Sequence, residues 1–183
     1  MRRIIALLIL SCTFQIAGAQ SSPAASAGEV RWYTIQEAEK LNKKSPRPIF
    51  IDTYTDWCGW CKKMDKDTFT NSVIIDILNN RFYPVKFDAE GSEPVTFMGQ
   101  TFINENKGSN SPHQLAIALL NGQLSYPTVV FLYPQKDGKL SAAPVPGYKQ
   151  PKEMEVLLSF FADKAYDTQK WEDYQKSFQS RIK

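Results

Sequence analysis

A chain of 183 residues with 43% apolar and 22% charged positions has the length and balance of one folded globular domain with a few extra elements, which excludes a disordered, fibrous or two-domain protein. Its formal charge of +3 falls to +1 if Arg2 and Arg3 leave with an N-terminal leader that holds no acidic residue. A nearly neutral chain without a basic stripe has no electrostatic footprint for nucleic acid, and none is expected as a partner.

Residues 1–20, MRRIIALLILSCTFQIAGAQ, combine a basic start, an apolar stretch and small residues at Ala17 and Ala19, the pattern of a secretory signal. Ser11, Cys12, Thr13 and Gln15 interrupt the stretch, so it falls short of the ~20 apolar residues of a membrane-spanning helix. Cleavage after Ala19 or Gln20 is expected, leaving a periplasmic or secreted protein. The rival reading, a lipoprotein acylated at Cys12, is disfavoured by the bulky Leu10 and the long stretch before Ala17. Residues 21–29 are small and polar, a flexible leader.

Thr34 with Glu37 three positions on is a capping box opening a helix over 35–44, stopped before Pro46 and Pro48. Ile49 to Tyr54 has the β-branched and aromatic density of a buried strand and runs directly into Trp57-Cys58-Gly59-Trp60-Cys61. A helix is compatible with KKMDKDTF, and Val73, Ile74, Ile77 and Leu78 give 71–80 a helical stripe; Phe82 to Asp88 reads as the next strand. Val95 to Ile103 alternates like a small hairpin, and Ser111-Pro112 opens a helix with the proline in its first turn and Gly122 at its end. Strands follow at Val129–Tyr133 and Leu140–Val145, joined by a turn at Lys136–Lys139, then a helix with Met154, Leu157, Leu158 and Phe161 on one face. Trp171, Tyr174 and Phe178 form a last amphipathic segment, expected to pack on its own domain. The order predicts an α/β sandwich around a mixed sheet.

Once the leader is removed, Cys58 and Cys61 are the only cysteines, which excludes a disulfide framework. A bridge across so short a loop constrains the unfolded chain little, so stability explains the pair poorly. At a helix start the first sulfur lies near unpaired amide N–H groups and the positive end of the dipole, which favours thiolate. Cys58 is therefore the expected nucleophile, and Cys61, one turn in and better screened, resolves the mixed disulfide. A zinc site would need four ligands, and beyond the two cysteines only His113 and carboxylates are on offer, so no metal is expected. Cu(I) held by two thiolates stays open as an alternative, and His113 is expected to be a surface or packed residue. Trp57 and Trp60 serve either as a docking surface or as buried packing; Lys62 and Lys63 either favour thiolate or are a solvated face.

Asp52 six residues before Cys58, Trp57 directly before it, Lys62 after Cys61 and a distant Tyr126-Pro127-Thr128 together resemble the thioredoxin superfamily, and locally the periplasmic thioredoxin domain of the reductant carrier DsbD. The resemblance covers roughly 30–165. It implies a thioredoxin fold with an insertion at about 89–125 before the strand led by a cis-proline, and a helical extension over 166–183. It further implies that Pro127 is cis and faces the cysteines, that the Tyr126 backbone bonds an extended substrate, and that Asp52 is a buried carboxylate relaying the Cys61 proton. Trp57, Gly59, Trp60, Tyr126 and Pro127 would bind substrate. The implied activity is an exported thiol:disulfide oxidoreductase, a reductase of protein disulfides acting as a monomer without a dissolved cofactor, with a membrane reductant relay as electron donor. Gly59-Trp60 departs from the usual Gly-Pro, which leaves isomerase or oxidase activity, or a non-catalytic Cu(I)- or peptide-binding module, as alternatives.

Overall fold

Thr34 opens the first helix, α1 (Ile35–Lys44), through a reciprocal box: its hydroxyl accepts the Glu37 N–H at 3.2 Å and the Glu37 carboxylate accepts the Thr34 N–H at 2.8 Å. The computed structural model describes residues 28–105, 108, 110–135 and 139–183. The leader over 1–20 with Cys12, most of the segment 21–29, and the turn at Lys136–Gly138 lie outside the described residues.

The sheet is built on β1 (Ile49–Tyr54), which runs parallel to β2 (Tyr83–Asp88) and antiparallel to β5 (Thr128–Pro134); β6 (Leu140–Pro146) pairs antiparallel with β5. The order is β2-β1-β5-β6, a mixed sheet, and a parallel bridge between Tyr33 and Val85 begins a further edge beyond β2. Because side chains alternate along a strand, Phe50 and Asp52 share one face of β1 while Ile49, Ile51 and Thr53 share the other. The Phe50 face packs against Met64 of α2 (Gly59–Asp67), Ile74 and Leu78 of α3 (Ser72–Arg81) and Leu158 of α5 (Pro151–Ala162). The Ile51 face packs against Ile35 and Ala38 of α1 and Leu115 and Leu119 of α4 (Gln114–Leu119). Asp52 is thereby placed on the buried face that α2 covers.

Between β2 and β5 the chain inserts a hairpin, β3 (Val95–Phe97) with β4 (Gln100–Phe102), and then α4. The hairpin turns on Met98 and Gly99, both at positive φ, a geometry whose twist matches that of paired strands. The start of α4 corrects the expectation of a proline in its first turn. His113 is the N-cap, with Nδ1 accepting the Leu115 N–H at 3.1 Å and Nε2 lying 3.2 Å from the Glu93 carbonyl oxygen. A fully buried imidazole does the work expected of Ser111-Pro112, so the proline stays outside the helix. After α5 comes α6 (Trp171–Ser177), whose Trp171 and Tyr174 rings lie 5.3 and 5.2 Å from Phe160, and a short tail follows it. Phe178 falls at the C-cap rather than on the helix.

Candidate active site

The loop leaving β1 turns back at once, with the Cys58 N–H donating to the Thr55 carbonyl at 3.1 Å, and Cys58 becomes the N-cap of α2. Cys58 and Cys61 are joined by a disulfide, their Cα atoms 5.3 Å apart, and the Cys61 N–H donates to Cys58 Sγ at 3.1 Å. That donor, the positive end of the helix and a first turn free of acidic residues all favour negative charge on Cys58 Sγ when the bond opens. Both cysteines are buried, at 4% and 2% exposure, so the better screening expected of Cys61 amounts to little; position in the helix is what separates the two.

Beneath α2 lies a charged cluster. In the β1–β2 register Asp52 sits opposite Lys86, whose Nζ is 2.6 Å from Asp52 Oδ2 and also hydrogen-bonds Asp65 on α2. Three rings surround the same ammonium, Tyr54 at 5.0 Å, Trp32 at 5.3 Å and Phe69 at 5.5 Å from their centroids, offsetting part of its lost hydration. Burial pushes the Asp52 carboxyl from 3.8 up to about 6, against the downward pull of the Lys86 ammonium and with the Asp65 charge pushing it further up. Burial lowers Lys86 as well, but Asp52 and Asp65 more than offset it and its net shift is upward. Among the described residues Asp52 Oδ1 is buried and has no hydrogen-bond partner. Lys86 was not singled out from the sequence; a basic residue on the neighbouring strand was the available signal, and it required the strand register to be read.

Trp57 and Trp60, each 59% exposed, are on the surface, which removes the buried-packing reading for both. The Trp57 indole donates to Glu90 at 2.9 Å and its ring lies 6.1 Å from Tyr126, while the Trp60 ring lies 5.5 Å from Tyr148. The disulfide is thus flanked by two aromatic pairs. The Tyr126–Pro127 peptide bond is cis, and it enters β5 where Thr128 pairs with Thr53, the end of the sheet from which the Cys58 loop also leaves. No intramolecular hydrogen bond engages the Tyr126 main chain among the described residues. A Cβ placed on Gly59 would meet nothing within 4 Å, so glycine leaves the approach to Cys58 open rather than answering a backbone demand. Lys62 is exposed, and Lys63 is engaged with Asp67 at 2.5 Å and lies 5.6 Å from the Tyr148 ring centre. His113 caps α4, and among the described residues no group of three or more His, Cys, Asp or Glu is placed to hold a metal.

A family model named Thioredox_DsbH, described as a protein of unknown function, DUF255, matches residues 22–182. Spermatogenesis-associated protein 20 of Rattus norvegicus is 36% identical over 75 residues, covering 40% of this chain and 10% of that protein. The thiol:disulfide interchange protein DsbD of Vibrio vulnificus is 35% identical over 81 residues, covering 39% of this chain and 14% of that protein. The chain therefore spans 10% to 14% of the length of these relatives. Among solved structures, a thioredoxin from Thermus thermophilus superposes with a TM-score of 0.51 at 20% identity, covering 71% of this chain and 85% of that one. A thioredoxin-fold protein from Helicobacter pylori gives 0.50 at 21% identity, covering 71% and 78%.

Proposed function

The chain belongs to the Thioredox_DsbH family and has the thioredoxin fold, and from that premise we propose that it is an exported thiol:disulfide oxidoreductase that reduces protein disulfides. The observation that carries this reading is the Cys58–Cys61 pair at the N-terminus of α2, above a buried carboxylate held by Lys86. In the reduced protein the Cys58 thiolate attacks a client disulfide. A Cys58–client bond forms, the client bond breaks, and the departing sulfur takes a proton from water. Asp52 accepts the Cys61 proton; the Cys61 thiolate then attacks Cys58 Sγ, closing the disulfide and expelling the second client sulfur as a thiolate that takes a proton from water. Two electrons have passed from the cysteine pair to the client, and an external dithiol must return them.

A membrane reductant relay of the kind the DsbD likeness suggests is the donor we assign, because an oxidising compartment supplies none. The leader over residues 1–20 supports export to that compartment. No dissolved cofactor is needed, since both electrons reside on sulfur. Trp57, Trp60 and Tyr126 form the docking surface for an extended client segment, with the Tyr126 main chain free to bond it.

The test is trapping. Cys61→Ser should accumulate a mixed disulfide with a peptide disulfide, and Cys58→Ser should not; absence of any trapped species in Cys61→Ser, together with stoichiometric Cu(I) binding by the reduced wild-type protein through both cysteines, would make the chain a metal carrier instead. Direction is read from the reduction potential, followed by tryptophan fluorescence in graded thiol buffers. A value near about −270 mV fits a reductase, and one near about −120 mV an oxidase.

A further inference from the structure

We infer that Lys86 and Asp65 form the route by which the proton that Asp52 gains at each turnover reaches solvent. The inference rests on the redox reading above and adds to it the fate of that proton.

Asp52 is wholly buried. Among the described residues its Oδ1 has no hydrogen-bond partner and its Oδ2 has one, the Lys86 ammonium at 2.6 Å, so a proton that Cys61 delivers to this carboxylate has Lys86 to pass on to. Lys86 bridges onward to Asp65. Side-chain exposure rises along the series from 1% at Asp52 to 22% at Lys86 and 45% at Asp65, a graded path from core to surface. Asp65 and Lys86 both line an open pocket of about 300 Å³, together with Glu29, Trp32, Phe69 and Thr70. That space is large enough for several waters, and the charged side chains lining it give them partners.

The transfer balances, and its net result is one proton moved from the buried carboxyl to the exposed one. Lys86 donates one of its protons to the Asp65 carboxylate and is refilled from the Asp52 carboxylic acid. The ammonium is restored, Asp52 becomes a carboxylate again, and Asp65 holds the proton until it passes to cavity water. Each hop spans one hydrogen bond. When a dithiol donor reopens the Cys58–Cys61 bond, the same series runs in reverse and returns a proton to the interior. The rings of Trp32, Tyr54 and Phe69 hold the ammonium between the two carboxylates, so Lys86 does not need to swing. The charged and titratable groups that act on Asp52 are Tyr54 from β1, Lys86 from β2 and Asp65 from α2, and Glu29 lines the same pocket as Lys86 and Asp65. Asp65 never reaches the sulfur; it is a positioning residue that acts through Lys86.

The experiment is single-turnover mixing of the full reduced protein with a fluorescent peptide disulfide, which separates attack from resolution. Asp65→Ala should slow resolution on the order of tenfold at neutral pH while attack stays unchanged. Formate, small enough to occupy the vacated space against Lys86, should restore the resolution rate saturably, whereas chloride at equal ionic strength should not. Asp65→Asn, which keeps the shape and fills the space, should be slow without rescue, and a merely structural defect would not respond to formate at all. Resolution at the wild-type rate in Asp65→Ala, or equal slowing of both phases without formate rescue, overturns the proton route while leaving the redox reading standing. Failure of the wild-type protein to form any mixed disulfide overturns both.

Discussion

Asp52 illustrates how one buried residue makes opposite demands on stability and on chemistry. Folding holds its carboxyl near about 6 where the ordinary value is 3.8, so between those limits the folded state binds more protons than the unfolded one. Stability must therefore fall as pH rises through that window, and above it the full cost, about 3 kcal/mol, is present. Asp52→Asn removes the charge, with some loss of the Lys86 attraction, and should stabilise the oxidised protein by about 1–2 kcal/mol at pH 7 and by nothing at pH 4 in urea unfolding. Equal gains at both pH values would assign the effect to packing. The same variant should slow resolution more than attack, because the lost function is acceptance of the Cys61 proton. Trp57 and Trp60 make the complementary case, since two indoles 59% exposed among the described residues offer apolar surface that a bound client would cover. Replacing both by alanine should raise KM for a protein disulfide on the order of tenfold while leaving reduction of bis(2-hydroxyethyl) disulfide and the melting temperature nearly unchanged. Asp52 was legible in the sequence because its spacing from Cys58 is local. Lys86 was not, because its place opposite Asp52 exists only once β1 and β2 have chosen a register.

Elements whose ends are set by neighbouring side chains were the most legible. The Thr34–Glu37 box bounds α1 at the positions its spacing predicts, and the β-branched run of β1 ends where the cysteine loop begins. The start of α4 is not legible in the sequence because the cap is an imidazole rather than a hydroxyl or an amide, and because the cap works only when Glu93, from the loop before β3, and Ala89, just after β2, are in place. Capping by His113 predicts that His113→Ala destabilises the protein by about 1 kcal/mol and that His113→Asn, whose side chain also accepts from the helix, recovers most of it. The pH dependence separates cap from charge. Burial lowers the His113 pKa below its ordinary 6.5, so the unfolded chain binds the extra proton and stability is lost as pH falls below that value. His113→Asn should abolish this acid sensitivity, measured as the slope of urea-unfolding stability between pH 7 and pH 5; an unchanged slope would assign it to another group.

At the scale of the whole molecule, the least legible feature is the closure of the chain on itself. The apolar spacing of α5 predicts a one-sided helix, yet it also buries Glu155, a carboxylate no amphipathic pattern would place inside. The last turn of chain supplies its partners. The Ser180 hydroxyl donates at 2.6 Å, the Arg181 N–H at 2.9 Å and the Ile182 N–H at 3.4 Å, while the Arg181 guanidinium reaches back to Asp76 on α3 at 3.1 Å. The tail thus ties α3 to α5 across the face that covers the Phe50 side of the sheet, and a buried carboxylate stripped of such donors is strongly unfavourable. Deleting residues 180–183 should lower stability by about 2–3 kcal/mol, less than for a sealed charge because water can enter where the tail lay. Glu155→Gln in the full chain should cost about 1 kcal/mol, since the amide keeps an acceptor but loses the charge that strengthens each bond. Combining the two changes gives a double-mutant cycle. If the tail acts through Glu155, Glu155→Gln in the shortened chain should cost nothing further or even stabilise it, whereas strict additivity would show that tail and carboxylate act independently. Attack at Cys58 should be unaffected throughout, because the tail touches none of Cys58, Cys61, Asp52 or Lys86 and its contribution is to hold the helical layer on which the redox loop is mounted.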